Sequence, residues 1–238
     1  MNQRASRVLD QMMSRKRELT SLTDADPRST GRLRELRHWQ AARLARTYRD
    51  LHRDPRHTAA VDFFFSDLYG DHDFAPRERN VERAMRYLKR SLPPVALEAL
   101  GRAIELDLLT AELDQAMVAA IPVGDLDEAL YAHAYRAVGR RAARQHQIEL
   151  VIRIGEDLEQ LVRHPWVGAL LRAARVPAHV IGLDALQKFL ERGYDAFRQM
   201  GDASRLLAAI RERETRLMEA ILDGRAEPFS CLDRYATQ

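Results

Sequence analysis

Residues 95–121, VALEALGRAIELDLLTAELDQAMVAAI, decide the fold class. Their apolar side chains point around most of the circumference of a helix: Leu97, Leu100, Ile104, Leu108, Leu109, Leu113 and Met117. A helix that is apolar on nearly all sides belongs in a protein interior. Pro93 and Pro94 precede it, and proline is favoured where a helix begins. We therefore predict a buried central helix with other helices packed around it.

The rest of the chain also repeats its apolar residues at helical spacing, and no run alternates apolar and polar residues as a half-buried strand would. The pattern predicts an all-α fold, a single bundle of eight or nine helices. Residues 1–238 form one domain in this interpretation, with 1–26 a basic, peripheral N-terminal helix and 225–238 a non-helical tail. The expected helices span about 3–22, 32–52, 77–91, 95–121, 126–162, 165–176, 183–200 and 203–223, with a further one around the phenylalanines at 63–65.

Several residues mark the expected ends and crossings of these helices. Pro27 and Gly31 indicate a loop and the best internal boundary, and Asp54 with Pro55 reads as an N-cap followed by a first helical residue. Gly155 lies on the apolar stripe of the 126–162 pattern, so we expect a close helix crossing there. Gly224 reads as a C-cap. In 165–176, we expect Trp166 in the core.

Composition excludes several classes of protein. With 238 residues, of which 46% are hydrophobic, the chain can build a large core without stabilising disulfides or metal ions. No apolar run approaches the ~20 residues that span a bilayer, and the basic N-terminus lacks the apolar core of a secretory signal. A single cysteine, Cys231, excludes an intramolecular disulfide and fits a reducing compartment. We expect a cytoplasmic protein without a membrane segment.

Charge is unevenly placed along the chain. Residues 1–57 hold 14 Lys and Arg but only 7 Asp and Glu, whereas the whole chain carries a net charge of +3. We call residues 1–57 the basic cap. A basic segment of this kind can bind nucleic acid, and the candidate binding surface consists of Arg4, Arg7, Arg15, Lys16 and Arg17. The region has few aromatic residues among its charges and contains paired acids, so a solvated helical face is favoured. Nucleic-acid binding stays open as the weakest alternative.

Metal chemistry is a second alternative, because helical bundles can hold di-iron sites through Glu-x-x-His pairs. Glu35 and His38 have this spacing; the other acid-x-x-His match, Asp54 and His57, is assigned to a helix start. The candidate ligands of a metal-dependent, oxygenase-like enzyme are Glu35, His38, His133 and Glu214. One spacing match is weak evidence, and we expect no cofactor.

The remaining polar candidates have structural readings. His133, between Tyr131 and Tyr135, is expected to be a hydrogen-bonded core histidine. Glu214 falls among apolar positions and needs an arginine partner, for which RERETR, residues 211–216, offers several. For His146 and Glu149 a solvated ladder of ion pairs is favoured over acid–base catalysis.

Residues 61–71, VDFFFSDLYGD, hold three consecutive phenylalanines. On a helical wheel, one face carries Val61, Phe64, Phe65, Leu68 and Tyr69. Phe63 falls outside that face, so either a second layer of helices covers it or it marks an interface. We favour the second layer, because burying a phenylalanine contributes ~1.5–3 kcal/mol.

The segment Phe63-Phe64-Phe65-Ser66-Asp67-Leu68-Tyr69 resembles the motif of a bacterial family named for Phe-Phe-Leu-Glu-Glu-Leu-Tyr, FFLEELY. The similarity extends through IGEDLEQLVRHPW and LQKFLERGYDAFRQM to Pro228 and Phe229, which is most of the chain. It implies no activity, since none is assigned to that family. Ser66 stands where the motif has a glutamate and cannot replace a carboxylate, which favours a structural motif.

No motif of a nucleotide-binding loop, a serine hydrolase or a zinc protease occurs. The sequence therefore favours a non-enzymatic interaction or regulatory protein. It would act as a homo-oligomer or with a protein partner, through the basic N-terminal helices or an apolar groove.

Overall fold

A computed structural model describes residues 14–15, 18, 27–64, 94–122, 124–180, 184–232 and 235. Within them the chain forms helices and no strand, so the all-α prediction is confirmed. The helices are α1 (Pro27–Thr47), α2 (Arg49–His52), α3 (Thr58–Asp62), α4 (Pro94–Ala120), α5 (Glu128–Val138), α6 (Arg141–Val162), α7 (Pro165–Val180), α8 (Asp184–Met200) and α9 (Ser204–Leu222), followed by a 3₁₀ helix, Pro228–Leu232. In this part of the chain, no helix is both long enough and apolar enough to cross a bilayer.

Helix α4 is central, as its composition predicts, and packs against α1, α5 and α6. Leu106, Leu113 and Met117 are buried in it, and the other apolar residues of its pattern are partly covered. Two apolar clusters lie on its sides. One joins α1, α3, α6, α8 and α9 around Tyr48, Phe64 and Phe197; the other joins α1, α5, α9 and the 3₁₀ helix around Leu36 and Ile221.

Gly155 is a close crossing point, as predicted. A Cβ atom built there would overlap the side chain of Leu207 on α9, so glycine lets α6 and α9 approach. The prediction of one continuous helix over 126–162 is wrong, because the helix is interrupted at Gly139. There φ is +62°, Arg140 is also left-handed at +52°, and the chain turns from α5 into α6.

Three predicted helix boundaries are wrong. Pro27 opens α1 instead of preceding it, because proline fits the first turn, and Gly31 lies exposed inside that helix. Asp54 accepts the N–H of Arg56 at 3.0 Å and so stabilises a turn, with α3 beginning only at Thr58. Helix α7 continues through Pro177 to Val180, since a proline near a helix end removes a single backbone bond.

Phe63 lies under a second layer, as predicted, and is 4% exposed. Its ring packs on Phe64, Phe189 and Phe197, and it fills the space above Gly193 of α8. Phe63 and Phe64 are therefore core residues. Phe65, Leu68 and Tyr69 lie outside the described residues, as does the helix expected over 77–91.

The described residues that follow α9 pack back on that helix. Gly224 is a C-cap, as predicted, with φ at +73° and the Arg225 N–H donating to the Ala220 carbonyl at 3.1 Å. Phe229 is buried and Tyr235 packs beside it. The segment after 225 is not wholly irregular, because Pro228–Leu232 is a 3₁₀ helix.

Candidate functional site

Of the two predicted metal-site residues on α1, Glu35 is held by other contacts. Glu35 pairs with Arg32 at 2.6 Å and accepts the backbone N–H of Leu126 at 3.3 Å, which ties α1 to the α4–α5 loop. His38, one turn later, is exposed. Glu35 therefore stabilises a loop, whereas His38 faces solvent.

His133 is exposed, so the expectation of a core histidine is wrong. Helix α5 buries Tyr131, Ala132, Ala134 and Tyr135, and position 133 falls on the opposite face. Its tyrosine neighbours in sequence do not surround it, because adjacent residues on a helix point about 100° apart.

Glu214 is partly buried and paired with an arginine, as predicted, but the partner is not in RERETR. Arg43 of α1 donates to it at 2.6 Å, and the Tyr48 hydroxyl donates to the same oxygen at 2.9 Å. Burial opposes the charge of Arg43, but Glu214 more than compensates and raises the pKa of that guanidinium. The carboxylate is therefore used to join α1 to α9.

No group of three or more His, Cys, Asp or Glu side chains in the described residues could hold a metal ion. Glu35, His38, His133 and Glu214 are thus not brought together as a ligand set. The interpretation of His146 and Glu149 as parts of a solvated ladder is confirmed for Glu149, which pairs with Arg153 one turn away and with Arg211 of α9. His146 instead pairs with Glu105 of α4 at 2.7 Å.

The described part of the basic cap pairs with acids elsewhere in the fold. Arg37, Arg43 and Arg46 of α1 bind Asp114, Glu214 and Glu128 respectively. The charge imbalance along the sequence is thus partly a packing feature, a basic helix lying on a more acidic body. Arg15 is exposed and pairs with Glu18 and Glu112; Arg4, Arg7, Lys16 and Arg17 lie outside the described residues.

A buried polar cluster, missed by the sequence reading, lies where α1, α4, α5 and α6 meet. Asp114 accepts from Arg37 at 3.4 Å and from Gln40 at 3.3 Å, and burial raises the pKa of its carboxyl against the effect of Arg37. Arg144 is also buried and stacks on Tyr135. Burial raises the pKa of both tyrosines here, Tyr131 and Tyr135, so their hydroxyls stay neutral.

Among the described residues, the exposed large apolar side chains lie together on α7. Trp166, Val176 and Val180 are 44%, 73% and 77% exposed, which contradicts the expectation that Trp166 lies in the core. Ala169 and Ala173 are exposed between them. We call these five residues the α7 stripe. Their steps of three and four residues follow one face of the helix, so this spacing could have revealed the stripe.

The opposite face of α7 packs on α8. Gly168 lies against the Tyr194 ring, and the Gln187 side chain donates to the Leu171 carbonyl at 2.6 Å. Arg175 is bound by both oxygens of Glu191, at 2.6 and 3.0 Å. These contacts fix the rotation of α7 and leave its stripe facing outward.

A family model described as Domain of unknown function (DUF8198) matches residues 19–228. The chain belongs to this family. The DUF8198 match includes the buried polar cluster, the Arg43–Glu214 pair and the whole α7 stripe. No curated protein and no solved structure matches the chain.

Proposed function

We propose that this DUF8198 chain is a non-enzymatic interaction module that works as a homodimer, with the α7 stripe as its interface. The observation that carries the proposal is the exposure of Trp166, Val176 and Val180 in one line on a single helix. A helix of a monomeric protein normally turns such a line toward the core. Contiguous apolar surface that stays in water is typical of interaction sites.

The spacing of the stripe supports a helix as its occupant. Trp166, Ala173 and Val180 take heptad position a, and Ala169 and Val176 take position d. Residues at these positions pack as knobs into the holes of a facing helix. The stripe runs along nearly all of the 16 residues of α7.

The order of side-chain sizes supports a second copy of the same chain. If two α7 helices pair antiparallel, Trp166 of each lies opposite Val176 of the other, and Ala169 lies opposite Ala173. Over residues 166–176, large residues then meet at both ends and small ones in the middle, and Val180 lies beyond this overlap. Such self-complementarity is what an isologous twofold interface requires.

The charges beside the stripe predict how this dimer responds to salt. Helix α7 contains no acidic residue, and Arg175 and His179 are held by acids of α8. Arg172 is exposed next to the stripe, and the two copies of it would lie on the same flank. Because salt screens this repulsion, we expect tighter association at higher ionic strength.

Sedimentation velocity tests the proposal. One helix gives a small interface, so we expect a monomer–dimer equilibrium between roughly 1 µM and roughly 1 mM protein. Val176→Glu places a charge in the stripe and should leave a monomer, whereas Ala137→Glu, on an exposed position of α5, should still dimerise. A wild-type monomer throughout, or a dimer that Val176→Glu leaves intact, contradicts the proposal.

A further inference from the structure

The geometry points to a second, internal site: we propose that Arg144 binds a small monovalent carboxylate where α5 turns into α6. Arg144 lies in the first turn of α6 and is 5% exposed. Its Nε donates to the Gly139 carbonyl at 3.2 Å, and its guanidinium carbon lies 3.4 Å from the centre of the Tyr135 ring. The guanidinium is thus held in one orientation.

Arg144 lacks the carboxylate partner that the other buried arginines among the described residues have. Among the described residues, Arg43, Arg144 and Arg213 are the buried arginines; Arg43 pairs with Glu214 and Arg213 with Asp50, both within 2.7 Å. No described carboxylate pairs with Arg144, and its buried Nη2 has no hydrogen-bond partner. A buried charge without a counterion is costly, so this position favours an anion.

The buried carboxylate of Asp114, on which the charge of Arg144 acts, is already engaged. Asp114 is close enough for the charge of Arg144 to act on it, but its carboxylate accepts from Arg37 and Gln40. Two buried tyrosines of α5 lie on this side, because Arg144 stacks on Tyr135 and the Tyr131 ring lies 5.8 Å from that of Tyr135 between centres. The site therefore combines a positive charge with aromatic surface.

These surroundings select the class of ligand. A guanidinium binds a planar carboxylate through directed N–H groups, which a spherical halide does not match. A dianion such as phosphate would lose much more hydration on burial than a monoanion. A small monocarboxylate satisfies both requirements, and the probe is acetate.

Trp39 offers a readout because its ring stacks on Tyr131 at 4.2 Å between centres. In a Trp166→Phe background, acetate is exchanged for chloride at constant ionic strength while Trp39 fluorescence and the melting temperature are followed. A parallel series uses phosphate. We expect a saturable response to acetate, and a much weaker one to phosphate.

Variants decide whether Arg144 is the receptor. Arg144→Met should fold, because it removes an unpaired buried charge, and should weaken acetate binding by roughly tenfold or more. Arg144→Lys should bind with reduced affinity, and Arg211→Met, at an exposed arginine of α9, should bind as wild type. An unsaturable response, or one unchanged in Arg144→Met, would show that water alone satisfies Arg144 and overturn the proposal. An equal response to phosphate would overturn the choice of ligand.

Discussion

Arg43 and Glu214 meet in the interior over 2.6 Å, although they are 171 positions apart in the sequence. The Tyr48 hydroxyl joins the same carboxylate oxygen. The contact joins α1, the first helix described in full, to α9, the last α-helix described. A residue that sequence reasoning offered as a metal ligand thus closes the bundle.

Removing this carboxylate should destabilise the fold. In Glu214→Leu the Arg43 charge stays buried without its partner, and we expect a loss of about 3 kcal/mol in the free energy of unfolding. The double variant Arg43→Met/Glu214→Leu should recover much of that loss. Urea unfolding measures both, with Glu219→Leu, an exposed position on α9, as a control that stays within about 0.5 kcal/mol of wild type. If Glu214→Leu leaves the free energy of unfolding unchanged, the Arg43–Glu214 ion pair contributes little to stability.

Two glycines should respond in opposite directions to the same substitution. Gly155→Ala forces a methyl group into Leu207 and should cost about 1–3 kcal/mol of unfolding free energy. Gly31→Ala meets no atom within 4 Å in an exposed part of α1 and should gain about 0.5–1 kcal/mol. Thermal unfolding compares them. Equal effects would contradict the close crossing of α6 and α9.

Asp114 should make stability depend on pH. Burial raises the pKa of Asp114 in the folded chain above the ordinary 3.8. In the pH interval between these two pKa values, the folded chain therefore holds more protons than the unfolded chain. The free energy of unfolding then falls as pH rises through the interval. Asp114→Asn cannot ionise and lacks this contribution, so the stability of wild type minus that of the variant should decrease as the pH rises above about 4. A difference that stays constant or increases would contradict the assignment.

Charge reversal beside the α7 stripe should select mixed dimers. Wild-type chains bring two Arg172 side chains to one flank, and Arg172→Glu chains would bring two glutamates there. A mixture should therefore form heterodimers more tightly than either chain forms homodimers, and the preference should fade as salt is added. Sedimentation of fluorescently labelled mixtures measures this. Equal affinities at low salt would place Arg172 away from the interface.

Periodicity in the sequence predicted the parts of the fold that depend on local pattern. It located the central helix α4, the two C-terminal helices, the cap at Gly224 and the crossing at Gly155. It also predicted that Phe63 lies under a second layer. In each case one helix carries the signal, because its apolar face or its glycine already specifies what packs against it.

Partners and outward faces could not be predicted this way. Glu214 needed an arginine, but only tertiary packing decides that Arg43, distant in sequence, supplies it. Trp166, which we expect in the core, is exposed because the contacts of Gly168 and Arg175 with α8 rotate it outward. The sequence pattern around Arg144 does not indicate its burial, since an arginine in the first turn of a helix is ordinarily solvated.

The most direct test of the proposed dimer is a disulfide formed across α7. In a Cys231→Ser background, chains carrying Ala169→Cys are mixed with chains carrying Ala173→Cys and oxidised mildly. The antiparallel register places these two positions opposite each other, so the mixture should cross-link much faster than either chain alone, and Val176→Glu in both chains should abolish the cross-link. Equal slow rates in the mixture and in the single-variant samples would contradict an α7-mediated dimer in this register.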